Sequence, residues 1–201
     1  MSKNDDYEIA SKEIENDKDE LNVKKKLNIK KIFSEWVIPI VLALVIAKAI
    51  NMFIFFNVYV PTGSMIPTIN EDDRMLVTKI YNTENIERGD IIVFYSEELQ
   101  ETLIKRAIGL PGDDIKIVEG QLYINGEEIE EDYVKNNEED YSGEFKVPEG
   151  KFFFLGDNRA NSWDARKWIN PYIDASKIKG KARFRFYPFD NIGSLYGIKL
   201  T

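Results

Sequence analysis

The sequence predicts an all-β, barrel-like domain behind one N-terminal transmembrane α-helix. Three observations carry that expectation. A mostly apolar run of bilayer-spanning length occupies residues 36–56. A lysine cluster, Lys24, Lys25, Lys26, Lys30 and Lys31, stands just ahead of it. Behind it come many short runs rich in Val, Ile, Phe and Tyr, separated by Gly, Pro and Asn turn signals. A chain of 201 residues suits one such domain plus extras.

The elements follow in order. Residues 1–23 set Asp5, Asp6, Glu8, Glu13, Glu15, Asp17, Asp19 and Glu20 against Lys3, Lys12 and Lys18. Few apolar residues and no periodicity mark a disordered tail, with partner docking as the alternative. The 36–56 run contains Lys48 and Asn51. Its Leu, Ile, Val and Phe residues contribute about −6 kcal/mol to insertion, against about +3 kcal/mol for a central lysine. Lys48 lies past the middle, where it can snorkel. The alternative, a buried core helix, is rare at this length in a small soluble domain. The lysines place the tail (1–35) in the cytoplasm and residues 57–201 outside. The run is too long for a cleaved leader, and no A-x-A-like site follows it. It therefore reads as a single-pass signal anchor in the cell membrane.

Strands are expected at 74–80, 90–95, 102–108, 115–118, 121–124, 151–155 and 182–186. Glu119-Gly120 joins a hairpin, and Asn125-Gly126 supplies a second turn. Residues 113–150 form a hairpin- and loop-rich subregion, within which acidic 130–144 reads as a surface loop.

Composition then removes whole classes of chemistry. Without cysteine there is no disulfide frame, thiol nucleophile or thiolate metal site. Without histidine there is no Ser-His-Asp triad and no His-rich zinc site. No metal and no cofactor is expected. A net charge of −8 argues against nucleic acid as a partner. Nothing in the chain fixes an oligomeric state.

Three clusters could carry chemistry. The first is Val60-Pro61-Thr62-Gly63-Ser64-Met65-Ile66-Pro67-Thr68, where two prolines stiffen a small-residue loop around Ser64. Ser64 is a candidate nucleophile or an ordinary loop serine. If a side-chain base activates it, lysine leads and a carboxylate is second. The second cluster is the strand around Lys105. Period-2 alternation puts Leu103, Lys105 and Ala107 on one face, so the lysine has apolar neighbours. Desolvation there would lower its pKa toward neutrality; a structural lysine would instead reach water. The third is Gly156-Asp157-Asn158-Arg159-Ala160-Asn161-Ser162-Trp163-Asp164-Ala165-Arg166, which follows an apolar strand. It reads as a site-orienting loop or a rigid salt-bridged one.

Together these clusters, with Asp73-Arg74-Met75-Leu76-Val77-Thr78-Lys79, Arg88-Gly89-Asp90-Ile91-Ile92-Val93-Phe94 and Lys105-Arg106-Ala107-Ile108-Gly109-Leu110-Pro111-Gly112-Asp113, resemble the bacterial type I signal peptidases. These are membrane-anchored leader peptidases, serine proteases that remove signal peptides from exported preproteins. The resemblance implies that Ser64 is the nucleophile and Lys105 its general base. It implies that Ser162 hydrogen-bonds and orients the lysine. Thr62, through its hydroxyl, would share an oxyanion hole with the Ser64 N–H. Asp164 and a paired Arg166 would support the site. The chain departs from the family at Ala165, where a serine is usual. Preproteins and the lipid bilayer are the implied partners. Met65 and Ile66 are expected to line the pockets for small A-x-A-like residues. A repressor-type self-cleaving protease would share the dyad but not the anchor. A non-catalytic anchored β-domain that binds signal sequences would need neither Ser64 nor Lys105.

Overall fold

The computed structural model describes residues 33–195, together with 16–18, 20, 21, 24, 30 and 31. The chain divides into two compact units, Met1–Asn51 and Met52–Thr201. Most of the acidic tail lies outside the described residues. The tail positions that are described are helical rather than disordered. An exposed Lys24–Glu20 pair at i,i+4 supports that turn, a contact worth about 0.3–0.5 kcal/mol.

One helix, α1 (Phe33–Phe53), is long and apolar enough to cross a membrane, and its side chains are exposed. Its first five residues, Phe33–Val37, wind as a π-helix. Pro39 follows, and it has no N–H to return to the Glu35 carbonyl. The helix is displaced from the expected 36–56. It starts earlier, and Phe55 and Phe56 belong to a strand. Their aromatic and β-branched surroundings pair with residues 77 and 78 rather than continuing the helix.

The β-rich unit contains β1 (Phe55–Tyr59), β2 (Arg74–Lys79), β3 (Ile91–Ser96), β4 (Glu101–Gly109), β5 (Asp114–Val118), β6 (Gln121–Ile124), β7 (Glu127–Ile129), β8 (Gly143–Lys146), β9 (Lys151–Leu155), β10 (Tyr172–Asp174), β11 (Ile178–Tyr187) and β12 (Gly193–Ser194). The larger sheet runs β1-β2-β11-β3-β4-β9-β10, with β12 on β11; the smaller runs β7-β6-β5-β8. All pairings are antiparallel. The expected hairpin turns form as positive-φ pairs, Glu119-Gly120 and Asn125-Gly126, the conformation that suits two-residue β-turns.

Two features of this topology position the site. First, β4 is shared: Glu101 to Arg106 pair with β3, whereas β9 joins only from Arg106 onward. The first half of β4 therefore keeps one free edge. Strand β1, paired only with β2, keeps another. Second, the core is split. Phe94, Phe152, Phe153, Phe154 and Trp168 belong to the larger cluster. Val60, Met65, Ile69, Met75, Val77, Ile91, Val93 and Ala182 form a smaller cluster beneath the Ser64 loop. Burying a side chain such as Met65 stabilises that loop by about 1.5–3 kcal/mol.

Candidate active site

Ser64 sits in a short 3-10 turn, Gly63–Met65, that interrupts extended chain between β1 and β2. Met65 anchors the turn from below, fully buried. Asn158 holds it from the side: its N–H donates to the Ser64 carbonyl at 3.0 Å, and its Nδ2 to the Gly63 carbonyl at 2.9 Å. The Ser64 side chain is thereby fixed while its own N–H makes no hydrogen bond to a described residue.

Lys105 reaches Ser64 from β4. Its Nζ lies 2.6 Å from Ser64 Oγ, and both residues are buried. Strand alternation places it there, as the sequence predicts, facing inward beside Leu103 and Ala107. Burial lowers its pKa to about 8. Asp164, Glu101 and Asp157 each pull the other way through their negative charge, without restoring the ordinary value. A buried amine that is neutral near pH 8 can accept a proton from a hydroxyl it already touches.

Thr62 is close but looser, with its Oγ1 3.4 Å from Ser64 Oγ. The expected hydrogen bond from Lys105 to Ser162 is not formed. Lys105 Nζ donates to Ser64 and, weakly at 3.4 Å, to the Ile104 carbonyl. Ser162 Oγ is buried without a hydrogen-bond partner. It adjoins the Asp164 carboxylate closely enough to help hold its charge, though outside hydrogen-bond geometry. Gly156 packs where Ser162 and Ser64 converge. A Cβ added there would stand 2.2 Å from Ser162 Oγ and 2.5 Å from the Ser64 carbonyl oxygen.

Asp164 and Arg166 are brought together behind these residues. Arg166 Nε donates to Asp164 Oδ1 at 2.8 Å and its Nη2 to Oδ2 at 3.0 Å, while the Gly156 N–H reaches Oδ2 at 3.0 Å. Burial opposes the Asp164 charge, but Arg166 and the Gly156 N–H hold its carboxyl below the usual range. Ala165 between them is fully buried in the apolar core. A serine hydroxyl there would need a partner, so the departure at this position suits its surroundings.

The pocket assignment needs correcting. Met65 is core, and Ile66 is partly exposed; neither lines the groove that meets the site. That groove, of about 230 Å³, runs between residues 58–62 and 101–105, with Val93 also lining it. The end of β1 and the chain just after it form one wall, and the unpaired half of β4 forms the other.

Several supporting residues escaped the sequence reading. Arg106 is fully buried and pairs with Asp157 through Nε at 2.8 Å and Nη2 at 2.5 Å. The Thr68 hydroxyl donates to the same carboxylate at 2.5 Å, and Tyr133 lies under the guanidinium at 4.0 Å. The available signal was an arginine on an apolar strand face, between Ile104 and Ile108, which demands a buried acid. Glu131 and Glu138 also act here from the expected surface loop, gripping Arg159 and Arg166 at 2.6 and 2.8 Å. Among the described residues no group of three or more acidic side chains could hold a metal ion.

Comparison with known proteins gives one family. The family model described as signal peptidase, peptidase S26, matches residues 33–187. A signal peptidase I of Leptolyngbya laminosa is 40% identical over 163 residues, covering 77% of this chain and 79% of the relative. One of Bacillus licheniformis is 37% identical over 179 residues, covering 84% and 96%. A solved signal peptidase I structure from Enterococcus faecalis V583 is 32% identical, with a TM-score of 0.44 over 48% of this chain and 96% of that one.

Proposed function

This chain belongs to the signal peptidase family, peptidase S26, and we propose that Ser64 and Lys105 are its catalytic dyad. Its activity is that of the family, serine-peptidase cleavage of signal peptides from preproteins. The observation that carries the dyad is the buried 2.6 Å contact between Lys105 Nζ and Ser64 Oγ.

Neutral Lys105 takes the Ser64 proton as Oγ attacks the carbonyl that precedes the cleaved bond. The resulting oxyanion is met by the Ser64 N–H and the Thr62 hydroxyl, which turns toward it. Losing one such donor costs about 10²–10³-fold in rate. The lysine ammonium then protonates the departing amine, which is the new N-terminus of the mature protein. Water attacks the acyl-enzyme, Lys105 accepts its proton, and Ser64 is regenerated. Ser162, whose hydroxyl is buried without a partner, fits a role in holding the lysine only if its side chain turns toward it. Asp164 and Arg166 position the loop that carries Ser162.

The groove suits the residues before the cut. Val58, Val60, Val93, Leu103 and Ile104 make it apolar and narrow, which matches a small-residue site. Its free edges on β1 and β4 suit an extended peptide that pairs as an added strand. Strands β1 and β4 point the same way across the sheet order, with Ser64 beyond the C-terminal end of β1 and Lys105 near the end of the free half of β4. A peptide running parallel to both delivers its carbonyl to Ser64.

The apolar N-terminal helix fits a membrane-anchored signal peptidase. We place the tail in the cytoplasm and the β-rich unit outside, on the positive-inside asymmetry. Enzyme and substrate then share one membrane, which raises their effective concentration.

The test is cleavage of an exported preprotein in detergent micelles by the full chain, with product ends read by mass spectrometry. Cutting after the small-residue site is expected, reduced about 10³-fold or more in Ser64→Ala and Lys105→Ala. Cutting that survives Lys105→Ala removes the proposed base. Binding without cutting by the parent would favour an anchored binder.

A further inference from the structure

The groove carries one charged residue besides Lys105. Glu101 lines it at the start of β4. Alternation along the strand puts Glu101, Leu103 and Lys105 on the same face. Glu101 is exposed, and it lies on the half of β4 that no neighbour covers on its outer edge. The neighbouring Glu97 carboxylate is satisfied by Lys177. Lys179, across the sheet, is committed to the Thr102 hydroxyl at 2.7 Å and lies over the Tyr95 ring. Among the described residues Glu101 has no ion pair. An unpaired carboxylate on the wall of a mostly apolar groove offers a partner to whatever occupies it.

Register says which part of the occupant it meets. Glu101 precedes Lys105 by four residues, about 13 Å along an extended strand. A peptide bound parallel to β4, with its reacting carbonyl at Ser64, has the same rise. Its first residue before the cut sits by Lys105, its third by Leu103, and its fifth by Glu101.

We propose that Glu101 is a specificity-determining residue, which favours a basic residue and disfavours an acidic one at the fifth position before the cleaved bond. The proposal rests on the reading of the groove as the seat of the residues before the cut. Glu101 lines the same groove as Lys105, and its negative charge acts on the lysine. Solvent exposure limits the size of the preference. A single exposed ion pair supports a discrimination of about three- to fivefold at low ionic strength, and salt screens it.

The experiment uses one preprotein in three forms, with Lys, Gln or Glu as the fifth residue before its small-residue cleavage site. The full chain in detergent micelles is assayed as parent, Glu101→Gln and Glu101→Lys. Each enzyme is scored by the ratio of kcat/KM for its Lys and Glu substrates, so a general loss of activity does not enter the readout. The parent is expected to prefer Lys about three- to fivefold, Glu101→Gln to fall near unity, and Glu101→Lys to reverse the preference. A parent ratio near one, or a ratio that Glu101→Lys leaves unmoved, overturns the proposal while the dyad stands. If the parent cuts none of the three forms at its site, the groove reading itself falls and takes this proposal with it.

Discussion

Burying Lys105 beside Ser64 has a cost for the fold. Its pKa is about 8 in the folded protein, against about 10.4 in an unfolded chain. Below pH 8 both states hold the proton, and the folded state holds it desolvated, so the penalty is fully present there. It is relieved as pH rises from about 8 to about 10.4, a total of up to about 3 kcal/mol. Lys105→Met should therefore be more stable than the parent at pH 7 by up to that amount, and the difference should vanish near pH 10.5; denaturant titration in detergent at both pH values checks it. Gly156→Ala should act oppositely. The added methyl collides with the Ser64 carbonyl and Ser162 Oγ, and displacing a nucleophile by about 1 Å costs about 10²-fold in kcat/KM. At this scale the stiff loop and the alternating strand marked Ser64 and Lys105 only as candidates, and the family resemblance supplied their roles; the structure brings the two within 2.6 Å. The missing Lys105–Ser162 bond was not legible, since it depends on a rotamer and not on spacing. Met65 misled for a related reason: proximity in sequence to Ser64 does not say which way a side chain points, and this one turns into the core.

Elements carry the geometry through their edges and braces. The strands were readable from short apolar runs, and the two hairpin turns from Glu119-Gly120 and Asn125-Gly126. The helix ends were not, because Phe55 and Phe56 are as apolar as the span itself and only pairing with β2 assigns them. The acidic 130–144 segment looked like free surface, yet Glu131 grips Arg159 through two bonds of 2.6 and 2.7 Å. Arg159 is 2% exposed, so removing its partner strands a buried charge. Glu131→Ala should destabilise the protein by about 3–5 kcal/mol. It should also lower activity by loosening Asn158 and the Ser64 turn it supports. Thermal unfolding together with preprotein cleavage separates the two effects. A stability unchanged within about 0.5 kcal/mol would show that the ion pair contributes little.

The whole molecule supplies two clean backgrounds. It has no cysteine, so single cysteines report topology without a competing thiol. Phe189→Cys, at a position 78% exposed, should react with a membrane-impermeant thiol reagent added outside intact cells, whereas Lys18→Cys should react only after lysis. The reverse labelling would invert the proposed orientation. It also has no histidine. Apart from the N-terminal amine, no ordinary group in the chain titrates near pH 8, so a rate that changes there reports the buried lysine. The measurement that tests the dyad most directly is kcat/KM for preprotein cleavage from pH 6 to pH 10, with the N-terminal amine blocked. The account predicts a rise through an apparent pKa of about 8, as Lys105 loses its proton and becomes a base for Ser64. A profile that is flat, or that falls between pH 7 and pH 9, would contradict a lysine base.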